Sequence, residues 1–223
     1  MAARAVDEAA SNGPGPPDRL RRGRPPRTTR GRIAHVALEL FAREGFDETT
    51  VDEIAAAVGI GRRTFFRYFP SKNDVLWSDH GARLEQMGAH LRASPPDEPL
   101  LDTVRRAVVA STDFSRAEQH ALRLRIELIE AVPSLQAHSV LVHAAWRRVI
   151  AEFVAQRLGL EAEDLLPQAI AYASLGVTMA STRWWVRRGG TNLQDHLDLA
   201  LRHLATGFGQ VEALADQSRR ARW

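Results

Sequence analysis

From Thr28 onward the apolar residues recur at helical spacing almost without a break. No stretch shows the sustained alternation of apolar and polar residues that a half-buried strand requires. A chain patterned this way buries its apolar side chains by packing helix against helix, so the fold class is all-α, with about nine helices. Breakers divide the pattern. Gly45, Gly59 and Gly61 interrupt it early, Pro70 stops a short helix, and residues 94–99, Ser-Pro-Pro-Asp-Glu-Pro, read as a linker between two helical units. Helices are expected over about 29–44, 50–58, 62–69, a long one from Ser71 through Trp77 to about Leu91, and then 99–113, 116–131, 134–158, 163–187 and 192–216. Residues 1–26, rich in Gly, Pro, Ala and Arg with no apolar period, read as a disordered basic arm, and 217–223 as a frayed tail.

Charge is placed unevenly along this frame. Residues 19–75 carry 12 basic and 7 acidic side chains, whereas residues 76–223 carry 17 of each, so only the first part is suited to a polyanion. The two short helices around the Gly59–Gly61 turn have helix-turn-helix geometry, in which the second helix enters the DNA major groove. That second helix reads Arg62-Arg63-Thr64-Phe65-Phe66-Arg67-Tyr68-Phe69. Phe65 and Phe69, four apart, anchor one side, which leaves Arg62, Arg63, Thr64, Arg67 and Tyr68 largely outward. Arg matches guanine O6 and N7, and Thr meets a base edge or a thymine methyl. Tyr68 and Lys72 are suited to phosphate oxygens, Lys72 from the first turn of the fourth helix. Arg27 and Arg30, with Arg21, Arg22 and Arg24, would follow the backbone or enter the minor groove. The bland reading of the same residues is a solvated, Arg-rich helix on a structural bundle.

Thr49-Thr50-Val51-Asp52-Glu53-Ile54-Ala55, followed by Thr64-Phe65-Phe66-Arg67-Tyr68-Phe69-Pro70-Ser71-Lys72, resembles the TetR family of bacterial transcription regulators over roughly residues 28–78. The resemblance implies a homodimer with nine helices per subunit. A helix-turn-helix domain over 27–78 would bind double-stranded operator DNA. Helix 4 would connect, to about residue 92, to a C-terminal effector-binding and dimerisation domain over 97–216. It implies DNA contacts at Thr50 and Phe66 as well as the basic residues above. Two departures stand out: Gly61 lies where the family often caps the recognition helix with Ser, and Phe66 lies where Tyr often donates to a phosphate. Phe66 would offer packing on sugar and backbone instead. The string over residues 62–74 also resembles the subgroup associated with mycofactocin biosynthesis genes, which implies an actinobacterial source and a long-chain acyl-CoA effector.

In the C-terminal half, Ile170, Val177 and Trp184 on one helix and Leu197, Leu204 and Phe208 on the next recur at spacings of about three and four. Such stripes pack as intrachain core or, as the resemblance implies, as a four-helix dimer interface. A dimer would set two recognition helices one DNA turn apart, matching a palindrome. Trp77, Phe114, Leu122, Leu128, Trp146, Tyr172 and Met179 are candidates to line an effector pocket and equally candidates for plain core. Arg125 interrupts an apolar helix and would meet a carboxylate or phosphate there, or form a surface ion pair.

Other function classes fit poorly. Without cysteine there is no disulfide framework, thiol nucleophile or iron–sulfur ligand, and a reducing cytoplasm is the natural compartment. The N-terminus has no apolar signal core. Leu165 to Thr182 is uncharged and flanked by Arg183, Trp184 and Trp185, which mimics a membrane span. It is short, however, and studded with Pro167, Gln168, Ser174, Thr178 and Ser181, so a helix buried within a soluble bundle is the better reading. His138 and His143 are five apart and do not stack on one helix face, so no metal site is expected. Gly59-Ile60-Gly61 follows a helix rather than a strand, and no nucleophile and base pair occurs in a recognisable context. The expectation is a non-enzymatic, cofactor-free, effector-responsive regulator, most naturally a repressor, with no membrane partner. The alternative is a lipid or acyl-CoA carrier with only non-specific affinity for DNA.

Overall fold

A computed structural model describes residues 29–189 and 192–207 of the chain. The expected basic arm, Arg27, Phe208 and the tail lie outside the described residues. Within them the chain is all-helical. Its helices are α1 (Arg30–Glu44), α2 (Val51–Val58), α3 (Arg62–Tyr68), α4 (His80–Arg92), α5 (Leu100–Ala110), α6 (Arg116–Ala131), α7 (Pro133–Leu158), α8 (Leu165–Arg188) and α9 (Leu193–Ala205), with a 3-10 turn over Asn73–Trp77.

The first three helices begin and end where local chemistry directs. The Thr29 hydroxyl accepts from Arg32 N–H at 3.2 Å to open α1. Thr50 and Glu53 form a reciprocal capping box at the start of α2. Gly59 closes α2 in the left-handed region, φ 74°, where a side chain would be strained. Ile33, Ala37 and Phe41 of α1, Ile54 and Ala55 of α2, and Phe65 and Phe69 around α3 are all essentially inaccessible. They form one core, in which Phe65 and Phe69 lie 5.6 Å apart between ring centroids.

One sequence expectation is corrected here. The long helix from Ser71 is divided into the 3-10 turn and α4, which starts at His80. The cause is local. Ser71 N–H and Oγ both donate to Asp74 Oδ2, at 2.8 and 2.6 Å, and i to i+3 bonds then close the turn from Lys72 to Ser78. The turn directs Val75 and Leu76 into the α1–α3 core. The boundary between the units is itself packed. Leu135 of α7 is fully buried in the core of the helix-turn-helix unit, and Leu128, Ile129 and Val132 pack against it. The two units therefore meet across a shared apolar seam. The Ser-Pro-Pro-Asp-Glu-Pro segment is itself fastened to the body, since Arg157 Nη2 donates to the carbonyls of Pro96 and Glu98 at 2.9 and 2.7 Å.

The body is built on two long helices, α7 and α8, of 26 and 24 residues. A second core joins Met87 and Leu91 of α4, Val104 and Val108 of α5, Ile150 and Val154 of α7, Ala171 of α8 and Leu201 of α9. A third centres on Trp185, Leu193 and Leu197. Two hydroxyls of the uncharged run of α8 bond back within the helix: Thr178 donates to the Ser174 carbonyl and Thr182 to that of Thr178, at 2.8 and 2.7 Å. Among the described residues no helix is long and apolar enough to cross a membrane.

Candidate DNA-reading surface and effector cavity

The seven residues of α3 divide cleanly between its two sides. Phe65 points into the core, while Arg62, Arg63, Phe66 and Arg67 are exposed and Thr64 and Tyr68 are half-buried. Arg63 and Arg67, four apart on one face, form no ion pair among the described residues; Arg67 rests 5.6 Å from the Tyr68 ring. Arg62 is different. Its Nη1 meets Asp52 Oδ2 of α2 at 2.8 Å, and its guanidinium lies 5.3 Å from the exposed Phe66 ring. Phe66 in turn stands edge-on to Phe65 at 5.5 Å, so the exposed ring is held by the anchored one. Gly61 gives α3 no side-chain cap, and packing through Phe65 and Phe69 must hold the helix. The Thr50 hydroxyl is engaged by Glu53, accepting from its N–H at 3.2 Å and donating to Oε2 at 2.8 Å. The Thr50 N–H, which donates to the same carboxylate oxygen at 2.7 Å, and then the Thr50 hydroxyl hold the Glu53 carboxyl below the usual carboxylate range.

Two cations that the sequence assigns to DNA are engaged within the chain. Lys72 precedes the 3-10 turn rather than sitting in the first turn of α4. Its ammonium donates to the carbonyls of Phe46 and Thr49 at 2.6 and 2.9 Å and lies 4.3 Å from the Phe46 ring. Arg30 donates from Nη1 to the Tyr68 carbonyl at 2.9 Å and from Nε to the Ser78 carbonyl at 3.1 Å, with its guanidinium 4.6 Å from the Phe69 ring. Arg30 thus bridges α1, the end of α3 and the approach to α4. Neither partner set has a spacing rule that a sequence could display.

A cavity of about 650 Å³ opens among α6, α7 and α8, within the range of small-molecule sites. Of the expected lining residues, Trp77, Leu122, Arg125, Trp146 and Met179 border it. Three others do not. Phe114 packs on the Trp185 core under the Arg83 guanidinium, at 3.8 Å. Leu128 faces the helix-turn-helix core. Tyr172 is 56% exposed on the outside of α8, beneath Arg147 at 4.1 Å. Sequence reading missed His80, His143, Arg183 and Arg187 as wall residues. A stripe signal was available for one of them, because Ser139, His143 and Trp146 recur at helical spacing on α7.

The wall is electrostatically organised. Asp79, at the start of α4, receives Arg125 Nη1 on one oxygen at 3.0 Å and Arg83 Nε on the other at 2.9 Å. Burial pushes its carboxyl upward, but Arg125 and Arg83 outweigh burial and hold it below the ordinary value. Burial lowers His80, and burial with the nearby charges of Arg147 and Arg183 lowers His143. Across the cavity Arg183 Nε meets Glu130 Oε1 at 3.0 Å. A smaller cavity of about 140 Å³ lies among α1, the 3-10 turn and α6; Asp79 and Arg125 border it, and Arg125 borders the large cavity too. The Asp79–Arg125 pair therefore stands between the two spaces, at the junction of the units.

The outer faces of α8 and α9 expose Leu166, Tyr172, Trp184 and Leu199, each 45–56% accessible. Of the expected interface residues, Trp184 is on this face, 4.5 Å from the His196 ring. Ile170, Val177 and Leu204 are half-buried against the second core. Leu197 is corrected: it is fully buried within the chain against Trp185 and Leu193, and Leu199, two residues on, faces outward.

Comparison with known proteins agrees with this architecture. Residues 33–77 match the family described as "Bacterial regulatory proteins, tetR family", and residues 98–209 match the "MftR C-terminal domain". The chain is 38% identical over 195 residues to the "Putative mycofactocin biosynthesis transcriptional regulator MftR" of Mycobacterium tuberculosis, covering 87% of this chain and 98% of that one. The chain belongs to the TetR family. It is a transcriptional regulator with a helix-turn-helix domain and an MftR-type C-terminal domain, a non-enzymatic class. Another relative, the HTH-type transcriptional regulator TcmR of Streptomyces glaucescens, is 33% identical over 190 residues, 82% of each chain. Among solved structures, Thermus thermophilus FadR, a TetR family transcriptional repressor in complex with lauroyl-CoA, superposes with a TM-score of 0.53 at 26% identity, over 79% of this chain and 93% of that one.

Proposed function

We propose that this regulator is a cytoplasmic homodimer that represses transcription from a palindromic operator and is released by an apolar effector of the long-chain acyl-CoA type. The observation that carries the reading is the position of the large cavity. Its wall includes Trp77 and His80, which flank the junction between the 3-10 turn and α4, and Arg125, which is bonded to Asp79, the residue before His80. A ligand that fills the cavity presses on the segment that leads out of the recognition helix. Arg63, Thr64, Arg67 and Tyr68 read the operator, with Arg62 and Phe66 at the edge of the contact. Trp77, Leu122, Arg125, Trp146 and Met179 hold the effector. The exposed face of α8 and α9, with Trp184 and Leu199, meets a second copy and sets the two α3 helices about 34–36 Å apart on one side of the duplex. The lauroyl-CoA complex of the Thermus thermophilus relative supports the effector class. A tenfold change in operator occupancy requires the effector to favour the released state by only about 1.4 kcal/mol.

Fluorescence anisotropy with DNA from upstream of the gene, against shuffled DNA at physiological salt, tests the reading. A preference of about a thousandfold, lost on adding oleoyl-CoA, is expected. Equal and weak binding to both DNAs, with oleoyl-CoA still bound, would favour the carrier reading instead.

A further inference from the structure

Two polar side-chain atoms on the wall of the large cavity are buried with no hydrogen-bond partner among the described residues: Arg125 Nε and His80 Nε2. Much of the surrounding wall is apolar, with Trp77, Ile126, Trp146, Leu175 and Met179. A guanidinium N–H in such a place calls for an acceptor, because burial has stripped its water and nothing in the chain replaces it. Arg125 is also the less committed of the two cations on Asp79. Arg83 holds the other carboxylate oxygen at 2.9 Å and is itself fixed by Glu118 and the Ser111 carbonyl, each at 3.2 Å. Asp79 therefore keeps a partner if Arg125 turns away. The wall favours negative charge or electron-rich oxygen, since Arg125, Arg183 and Arg187 line it and Glu130 is the only acidic residue among its lining side chains.

We propose that Arg125 reads the acyl oxygen of the effector, donating its Nε–H to the thioester carbonyl of an acyl-CoA or to the carboxylate of a free fatty acid and loosening its bond to Asp79 as it does so. This rests on the effector reading above. It adds the contact that selects an acyl group over a plain alkyl chain, and the first bond within the protein that the ligand's arrival weakens. Asp79 follows Ser78, whose carbonyl accepts from Arg30, and Arg30 also holds the Tyr68 carbonyl at the end of α3. The loosened bond thus lies one residue from the bridge to the recognition helix.

Trp77 and Trp146 line the cavity, so ligand binding to the full-length protein is read from tryptophan fluorescence with no DNA present. Three probes are compared: lauroyl-CoA, S-dodecyl-CoA, which has the same chain and head but no carbonyl, and laurate. The wild type is expected to bind lauroyl-CoA at least about tenfold more tightly than S-dodecyl-CoA, as a charge-assisted hydrogen bond requires. Arg125→Met should reduce that preference to about twofold or less. Arg125→Lys, which retains a cation for Asp79 but lacks the Nε–H, should lose the preference too, and it carries the test if the methionine variant does not fold. Laurate bound as tightly as lauroyl-CoA, with the same dependence on Arg125, would identify the free carboxylate as the group read; weak laurate binding would identify the thioester. Equal binding of the two CoA ligands by the wild type, no binding of any probe, or a preference that survives in both variants would overturn the proposal. If the preference holds but oleoyl-CoA fails to release DNA, the repressor reading fails and the acyl-oxygen site stands.

Discussion

Replacing Lys72 with Met separates two roles for the only lysine in the chain. The ammonium donates to two carbonyls, those of Phe46 and Thr49, and both residues are almost completely buried. The methionine thioether retains most of the aliphatic stem but donates to neither oxygen. Each buried carbonyl left without a partner costs about 1–3 kcal/mol, and loss of the cation from the Phe46 ring costs about 0.5–1 kcal/mol more. Repacking of the loop and entry of water offset part of this, so a net loss of about 2–4 kcal/mol is expected, in line with other substitutions that break a buried polar contact. With a urea dependence of about 2 kcal/mol per molar, the midpoint should fall by about 1–2 M. Operator affinity should keep its salt dependence, since no phosphate contact has been removed. A variant as stable as the wild type, with a salt slope flatter by about one unit, would show that the ammonium belongs to a phosphate and refute the reasoning.

Arg63→Ala should cost about 1–3 kcal/mol on the operator if Arg63 makes a bidentate base contact, with a much smaller loss on shuffled DNA; equal losses on both would remove its reading role. Leu199→Asp should yield a folded monomer by light scattering, because Leu199 is half exposed, whereas Leu197→Asp should unfold the chain, because Leu197 is buried against Trp185; a folded dimer from Leu199→Asp would move the interface elsewhere. Asp79→Asn should lower stability by about 1–3 kcal/mol at pH 7, because Arg125 and Arg83 lose their carboxylate. Asp79 titrates below its ordinary value near 3.9, so its contribution is complete above that pH and disappears as pH falls through the lower folded value. The gap between wild type and variant should therefore close in acid, and a gap that persists at pH 2 would assign the effect to packing.

The helices were legible wherever the signal was local. Thr50 and Glu53, spaced for a capping box, mark the start of α2, and Gly59 marks its end; Phe65 and Phe69, four apart, identify the buried side of α3. Helix 4 was misread because a Ser71–Asp74 cap and a short 3-10 turn occupy the same residues as a helical stripe, and periodicity does not separate them. The cavity was legible in part. Large apolar residues on α6, α7 and α8 were recognisable candidates, but whether each faces the cavity or a neighbouring helix depends on helix rotation, which turns Leu128 and Tyr172 away from it, while Phe114 sits in the loop before α6 and packs on the Trp185 core. The contacts that join the units were not legible: Arg30 lies 48 residues from Ser78, and Asp79 lies 46 from Arg125, and no spacing rule spans such distances. Leu197 and Leu199 show the same limit at short range, since two residues of one amphipathic helix face opposite surroundings.

The Arg30 bridge sets how much play exists between body and recognition helix. Helix α4 has 13 residues and is about 20 Å long. Pivoted about its far end, a tilt of about 5° moves its first turn by about 1.7 Å, several times the ~0.5 Å range over which a hydrogen bond holds. Arg30 joins Ser78, two residues before α4, to Tyr68, the last residue of α3, through two such bonds. A displacement of that size either carries α3 along or parts the bridge and leaves the apolar core, with Val75, Leu76 and Leu135, as the remaining link. In the proposed release the bridge would work as a gear with little backlash, meshed beside that core.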